Sequence, residues 1–408
     1  MTSIYRAVSA WRIALAACVL FAGMAGATTP APVEARIPFA PTPFRGNDGA
    51  MHLAYELHVT NFYGDTGPLV PTAIDVSDDL GHALLHLDQA GIAAAIRPSP
   101  DENQPPTIQP GKRGVLYLWL TLPEGSSPHT LKHRVAFAGP AGFVLDGITT
   151  PLSGATPIRL GPPVRGGQWL AHEGPGNAHS HHWGSLVAVN GSLTMPQRYA
   201  LDLVGIDKKG RAFRPVKDIH ATRHSDWYGY GAPVLAVADA TVVAMRDGQD
   251  EHAPLEAQPE PASLSLDGLF GNYVVLDLGQ GRYAGYAHLE KGSVKVKTGQ
   301  HVARGDVIGA LGQSGNSAAP HLHFQVADAM AFEGSEGIPY VFEALDSFGP
   351  ESEGQLFGMG DPWKPAPVRH SKNELPLNDT VVSFPTPVDC RSAPCARPII
   401  ATIINPSH

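Results

Sequence analysis

The chain has 408 residues with 44 glycines, 38 prolines, only 16% charged residues and a formal net charge of −9. That length suggests two or three domains with ample core, and the composition suits β-structure rich in turns rather than a helical bundle. The acidic balance argues against nucleic acid as a partner, which would favour a basic face.

The N-terminus reads as a secretory signal over residues 1–27. Arg6 and Arg12 precede an apolar run from Ile13 to Ala25, and Ala25-Gly26-Ala27 gives a small-x-small cleavage site. The run is too short for a membrane span, so export to the periplasm or beyond is expected. Leu15-Ala16-Ala17-Cys18 resembles a lipoprotein box, which makes lipidation the alternative. Residues 28–47, rich in Pro and Ala, read as a linker.

Residues 48–150 carry β-patterned runs at His52–Val59, Val115–Leu122 and Thr130–Phe137, with a Pro-rich loop from Pro98 to Gly114. They predict a β-sandwich of immunoglobulin-like size. Its histidines (His52, His58, His82, His86, His129, His133) show no metal spacing and read as surface or packed residues. Residues 151–167 read as a second linker. In the following domain, residues 168–345, Asn190-Gly191 lies between two short apolar runs, a strong hairpin signal. Tyr199–Val204 and Val234–Met245 are further strands, and Asp250–Leu266 is an acidic inserted loop. Residues 346–408 read as an extension, loop-like beyond Glu351 apart from a strand at Pro398–Ile404. Cys390 and Cys395 are expected to form one local disulfide in an exported chain.

Chemistry concentrates in Gly315-Asn316-Ser317-Ala318-Ala319-Pro320-His321-Leu322-His323-Phe324. On a strand, His321 and His323 share one face while Leu322 and Phe324 take the other. Two imidazoles on one face can both bind a metal, or one can bind it while the other moves a proton. Upstream, in order, stand Gly229–Val234, Gly271-Asn272-Tyr273-Val274-Val275, Tyr286-Ala287-His288-Leu289 and Val294–Gln300. There is no P-loop, no dinucleotide fingerprint and no nucleophile elbow.

This ordered set, spanning about residues 198–330, resembles the lysostaphin-type zinc endopeptidases, whose site strand reads roughly G-x-S-x-x-x-P-H-L-H-F. The resemblance implies a mostly β fold, a β-sandwich followed by a lysostaphin-like antiparallel sheet domain. It also implies a zinc ion (Zn2+) held by the histidine and aspartate of H-x-x-x-D and by the second histidine of H-x-H. Asp202 and His323 match two of these ligands. His321 is then the general base, and His288 the donor to the developing oxyanion.

The chain departs from the family at Arg198, which stands four residues before Asp202 where the histidine is expected. A guanidinium stays protonated and has no lone pair to give. If the Asn190-Gly191 hairpin continued, His182 would face Tyr199 and His181 would face Ala200. Variant family members with a histidine some twenty residues before the aspartate favour His182, and face parity favours His181. We take His182 as the third ligand, then His181, with His220 and His224 as remaining choices. The implied activity is zinc-dependent hydrolysis of peptide bonds, with peptidoglycan peptides or an exported peptide as substrate. A degenerate binding or activator module for a wall hydrolase is the alternative, and Arg198 is the feature that favours it.

Overall fold

The computed structural model describes residues 33–65, 67–101, 103–139, 142–258 and 265–385. The signal segment, Cys390, Cys395 and the strand expected at Pro398–Ile404 lie outside the described residues. No helix among the described residues is long and apolar enough to cross a membrane. The fold is mostly β with antiparallel sheets, as the sequence predicts.

The first part consists of two antiparallel sheets. In one, Met51–Asn61 runs between Val33–Arg36 and Arg113–Leu122, with Ile96–Arg97 beyond; the other orders Ala83–Leu87, Pro71–Asp78, Thr130–Phe137 and Val144–Pro151. The period-2 alternation of a strand assigns its two faces. Leu53, Tyr55, Leu57 and Val59 point inward with Leu116, Leu118 and Leu120, packing on Ile74, Val76, Leu131 and Val135. The alternate residues Ala54, Val115 and Tyr117 join the core of the second part instead, and Glu56 shares their parity. Part of the second face of this sheet therefore lies on the boundary between the two parts. Val33–Arg36, expected within a linker, is a strand pairing with His58–Asn61.

The second part is built on one ten-stranded sheet. Its order is His301–Val302, Ala240–Arg246, Asn272–Asp277, Tyr283–Leu289, Leu322–Ala327, Leu201–Ile206, Gln168–His172, Thr380–Ser383, Leu345–Pro350 and Arg369–Ser371. One face buries Leu201, Leu203, Leu322, Phe324, Tyr286 and Val274 in the main core. Burying side chains such as Phe324 and Tyr286, both 0% exposed, stabilises the fold by roughly 1.5–3 kcal/mol each before entropy is counted. The other face carries two smaller apolar clusters, one with Leu170, Val204 and Val381, the other with Val275, Ala287 and Phe332. Between them lies a polar strip.

Two differences from the sequence reading stand out. The C-terminal stretch, read as loop-like beyond Glu351, carries Arg369–Ser371 and Thr380–Ser383, which with Leu345–Pro350 extend this sheet by three strands; they are only three to six residues long, so their pattern is faint. The Asn190-Gly191 hairpin forms in the expected register, Val187 opposite Thr194, with Asn190 and Gly191 at φ 50° and 82°. Its ladder stops there. His181–Gly184 is a helical turn capped by Ser180, whose Oγ accepts the His182 N–H at 3.1 Å. The cross-strand neighbours expected for His182 and His181 are therefore not realised.

Candidate metal centre

Sheet register assembles the polar strip. Asp202 lies directly opposite His323 on one side and His172 on the other, and directly opposed residues share a face. Ala287 lies opposite His323 on the next strand. Strict alternation would send His288 to the core. Its φ of 61° turns the chain there, so its ring lies 4.8 Å from that of His321 and 5.9 Å from that of His323. Such a conformation costs energy in a non-glycine residue and persists only where the surroundings enforce it. Gly271 helps enforce it: a Cβ there would meet the Ser314 carbonyl carbon at 2.4 Å. That close approach fixes the Ser314 carbonyl, which accepts the His288 Nδ1–H at 2.8 Å.

His182 reaches the strip from the capped turn. Its Nε2 lies 3.2 Å from Asp202 Oδ1 and 3.1 Å from His323 Nδ1, and His323 Nδ1 lies 3.1 Å from Asp202 Oδ1. The remaining nitrogens fix the tautomers. His182 Nδ1–H donates to the Glu173 carbonyl at 2.9 Å. His323 Nε2–H donates to Gln325 Oε1 at 2.9 Å, and that amide is oriented by its own donation to the Phe332 carbonyl. Both facing nitrogens are thus lone-pair acceptors, aimed at a carboxylate and at each other, all in residues at most 5% exposed. Burial holds His182 near pKa 4 and so neutral.

Three converging acceptors could hold a cation among them. Ligands ~2.0–2.1 Å from a tetrahedral ion lie ~3.3 Å from one another, so the three contacts match what zinc takes from imidazole and carboxylate. His181 stands at the rim, Nε2 3.8 Å from Asp202 Oδ2 and Nδ1 3.3 Å from Glu173. With His182 and Asp202 it forms a possible metal-holding group, but its side chain is 65% exposed. His220 is exposed, and His224 is engaged elsewhere, its Nε2 on the His252 carbonyl and its ring stacked on Tyr230.

His321 sits just before its strand with Nδ1–H donated to the Ala319 carbonyl at 2.8 Å, leaving Nε2 as an acceptor 3.4 Å from Asp202. His321 and His288 face one groove of about 510 Å³, which has an apolar wall of Trp227, Leu255, Leu356 and Phe357 and an acidic edge at Glu173 and Glu353. Burial depresses the pKa of both histidines.

Arg198 does not approach this centre. It is 5% exposed and paired with Glu56 and Glu336. The residue standing where the family histidine is expected thus has a structural role between the two parts of the chain.

Sequence reasoning missed Glu173, Gln325 and His172. Gln325 was within reach, two residues beyond His323 on the same strand face. Glu173 acts through its backbone carbonyl, which no side-chain pattern reports. Its φ of 54° is a second left-handed position beside the site. His172 faces the groove with its Nδ1–H on Asp379 at 2.7 Å. Burial opposes its charge, yet Asp379 raises its pKa to about 8.

Two acceptor histidines and a carboxylate in a β-sheet cleft, with two further histidines beside them, are the kinds of group from which hydrolytic metal sites are built. Residues 226–332 match the model of Peptidase family M23. The match includes His288, His321 and His323 and begins after His182 and Asp202. The chain is 37% identical over 93 residues to Peptidoglycan DD-endopeptidase ShyA of Vibrio cholerae, covering 21% of this chain and 20% of that protein. It is 33% identical over 96 residues to ShyB of the same organism, covering 24% and 18%. The match thus spans about a fifth of the length of these curated relatives. Among solved structures it is similar to the catalytic domain of lysostaphin from Staphylococcus simulans, at 21% identity and a TM-score of 0.22, covering 42% of this chain and 86% of that one.

Proposed function

We propose that this chain is an exported zinc metalloendopeptidase acting on peptide bonds of peptidoglycan. The observation that carries the reading is the triangle of acceptor atoms on His182, Asp202 and His323, with edges of 3.1–3.2 Å. These three residues would hold the ion. Bound zinc supplies a Lewis acid that polarises a carbonyl and lowers the pKa of a water to ~7.

The chain's own residues supply the rest. His321, with Nδ1–H committed to Ala319, presents Nε2 to take the proton of the attacking water and return it to the leaving amine. His288 likewise has Nδ1–H committed, to Ser314. It can donate to the substrate oxygen only after taking a second proton at Nε2, and negative charge building on that oxygen favours the protonated form. The apolar wall and acidic edge would orient the peptide and keep bulk water away.

The relatives named as peptidoglycan endopeptidases support the substrate, and the signal-like residues 1–27 support export. Digestion of purified sacculi by the full chain tests the reading. Loss of cross-linked muropeptides is expected, abolished by chelator and restored by zinc. Binding to sacculi with no digestion under any metal condition would mark a binding module instead. Hydrolysis of casein but not sacculi would move the substrate to exported proteins.

A further inference from the structure

We propose that Glu56, in the N-terminal two-sheet part, is a positioning residue for the metal centre, holding together the two chain segments that deliver His182 and Asp202. The proposal rests on the reading of those residues as metal ligands.

His182 occupies a single helical turn, and one turn has no independent stability. It must be held from outside. The adjacent Trp183, 2% exposed, donates its Nε1–H to Glu56 Oε1 at 2.7 Å and packs its ring 5.5 Å from that of Tyr117. The same Glu56 Oε1 accepts the Arg198 Nε–H at 2.9 Å, and Oε2 accepts from Arg198 Nη2 at 2.5 Å. Arg198 is four residues before Asp202, at the base of its strand. One carboxylate therefore pins both segments by charge-assisted bonds in a buried setting, where such bonds are strong. Farther along the His182 segment, Arg97 of the N-terminal part donates to the Ala178 carbonyl at 2.7 Å.

Glu56 and Trp183 touch neither the groove nor the ligand atoms, so they would act by fixing where His182 stands. This gives the N-terminal part a task unrelated to substrate capture. It also accounts for Arg198: with a ligand arriving from elsewhere, its position serves to anchor that ligand's segment.

The test uses the full chain and two variants, Glu56→Gln and Trp183→Phe. The first keeps shape and leaves Arg198 paired with Glu336; the second keeps an aromatic ring and removes the N–H donor. Zinc affinity is measured by competition with a chromophoric chelator, and the ligand field by the visible spectrum of the cobalt-substituted protein. Folding of the metal-free chains is followed by circular dichroism. Both variants should fold and bind zinc 10–100-fold more weakly, the range for residues that orient metal ligands, with an altered cobalt spectrum. Trp183→Phe carries the test should Glu56→Gln fail to fold. Folded variants with parental affinity and spectrum would overturn this proposal alone. A parent chain that takes up no zinc would overturn it together with the metallopeptidase reading.

Discussion

His323 Nδ1 lies 3.1 Å from His182 Nε2, and neither atom has a proton to give the other, because each ring donates from its far nitrogen. Gln325 maintains this for His323. Replacing it with leucine leaves a buried N–H without an acceptor, a cost of ~1–3 kcal/mol, and lets the ring adopt the other tautomer. Gln325→Leu should lower zinc affinity by 10–100-fold and lower the urea midpoint of the metal-free protein. A variant with unchanged affinity would show that the Gln325 bond does not set the tautomer.

His321 and His288 face the groove but lie outside the acceptor triangle. His321→Ala should cut kcat on a muropeptide substrate by about 10²–10⁴ and leave zinc stoichiometry intact. His288→Ala should also lower kcat, with little change in KM, because its bond to the substrate oxygen strengthens as charge develops. Loss of zinc from either variant, measured by elemental analysis, would reassign that histidine as a ligand.

Glu351 is a separate test of the fold near the site. It is 1% exposed, and no donor among the described residues reaches either of its oxygens. Burial, reinforced by Asp207 and Asp379, raises its pKa from 4.5 to about 8. Between these values the unfolded chain has released a proton that the folded chain keeps, so this group lowers stability as pH rises through that window. Glu351→Gln should match the parent near pH 4.5 and exceed it increasingly up to pH 8, read as the difference in urea midpoints of metal-free proteins. A difference that does not grow with pH would contradict the raised pKa.

Much of the site could be read locally. The i, i+2 pair His321 and His323 and the isolated Asp202 in an apolar strand each carry their own signal. Counting across the Asn190-Gly191 hairpin brings the His181-His182 segment beside the Asp202 strand, but face parity there favours His181, and it is the family resemblance that favours His182. The turn and register are as counted, but the ladder ends at Val187 and a capped helical turn carries the ring instead. What could not be read was the support. Glu56 is 142 residues from Arg198, Glu173 works through its backbone, and Arg198 looks like a missing ligand until its two carboxylates are seen. Long-range buried pairing leaves no period in a sequence.

The most direct test of the account is the zinc content of the full chain and of two neighbouring variants, His182→Ala and His181→Ala, after equilibration with a weak chelator. The account predicts one zinc per chain, retained in His181→Ala and lost in His182→Ala. Zinc absent from the parent, or kept in His182→Ala and lost in His181→Ala, would contradict it.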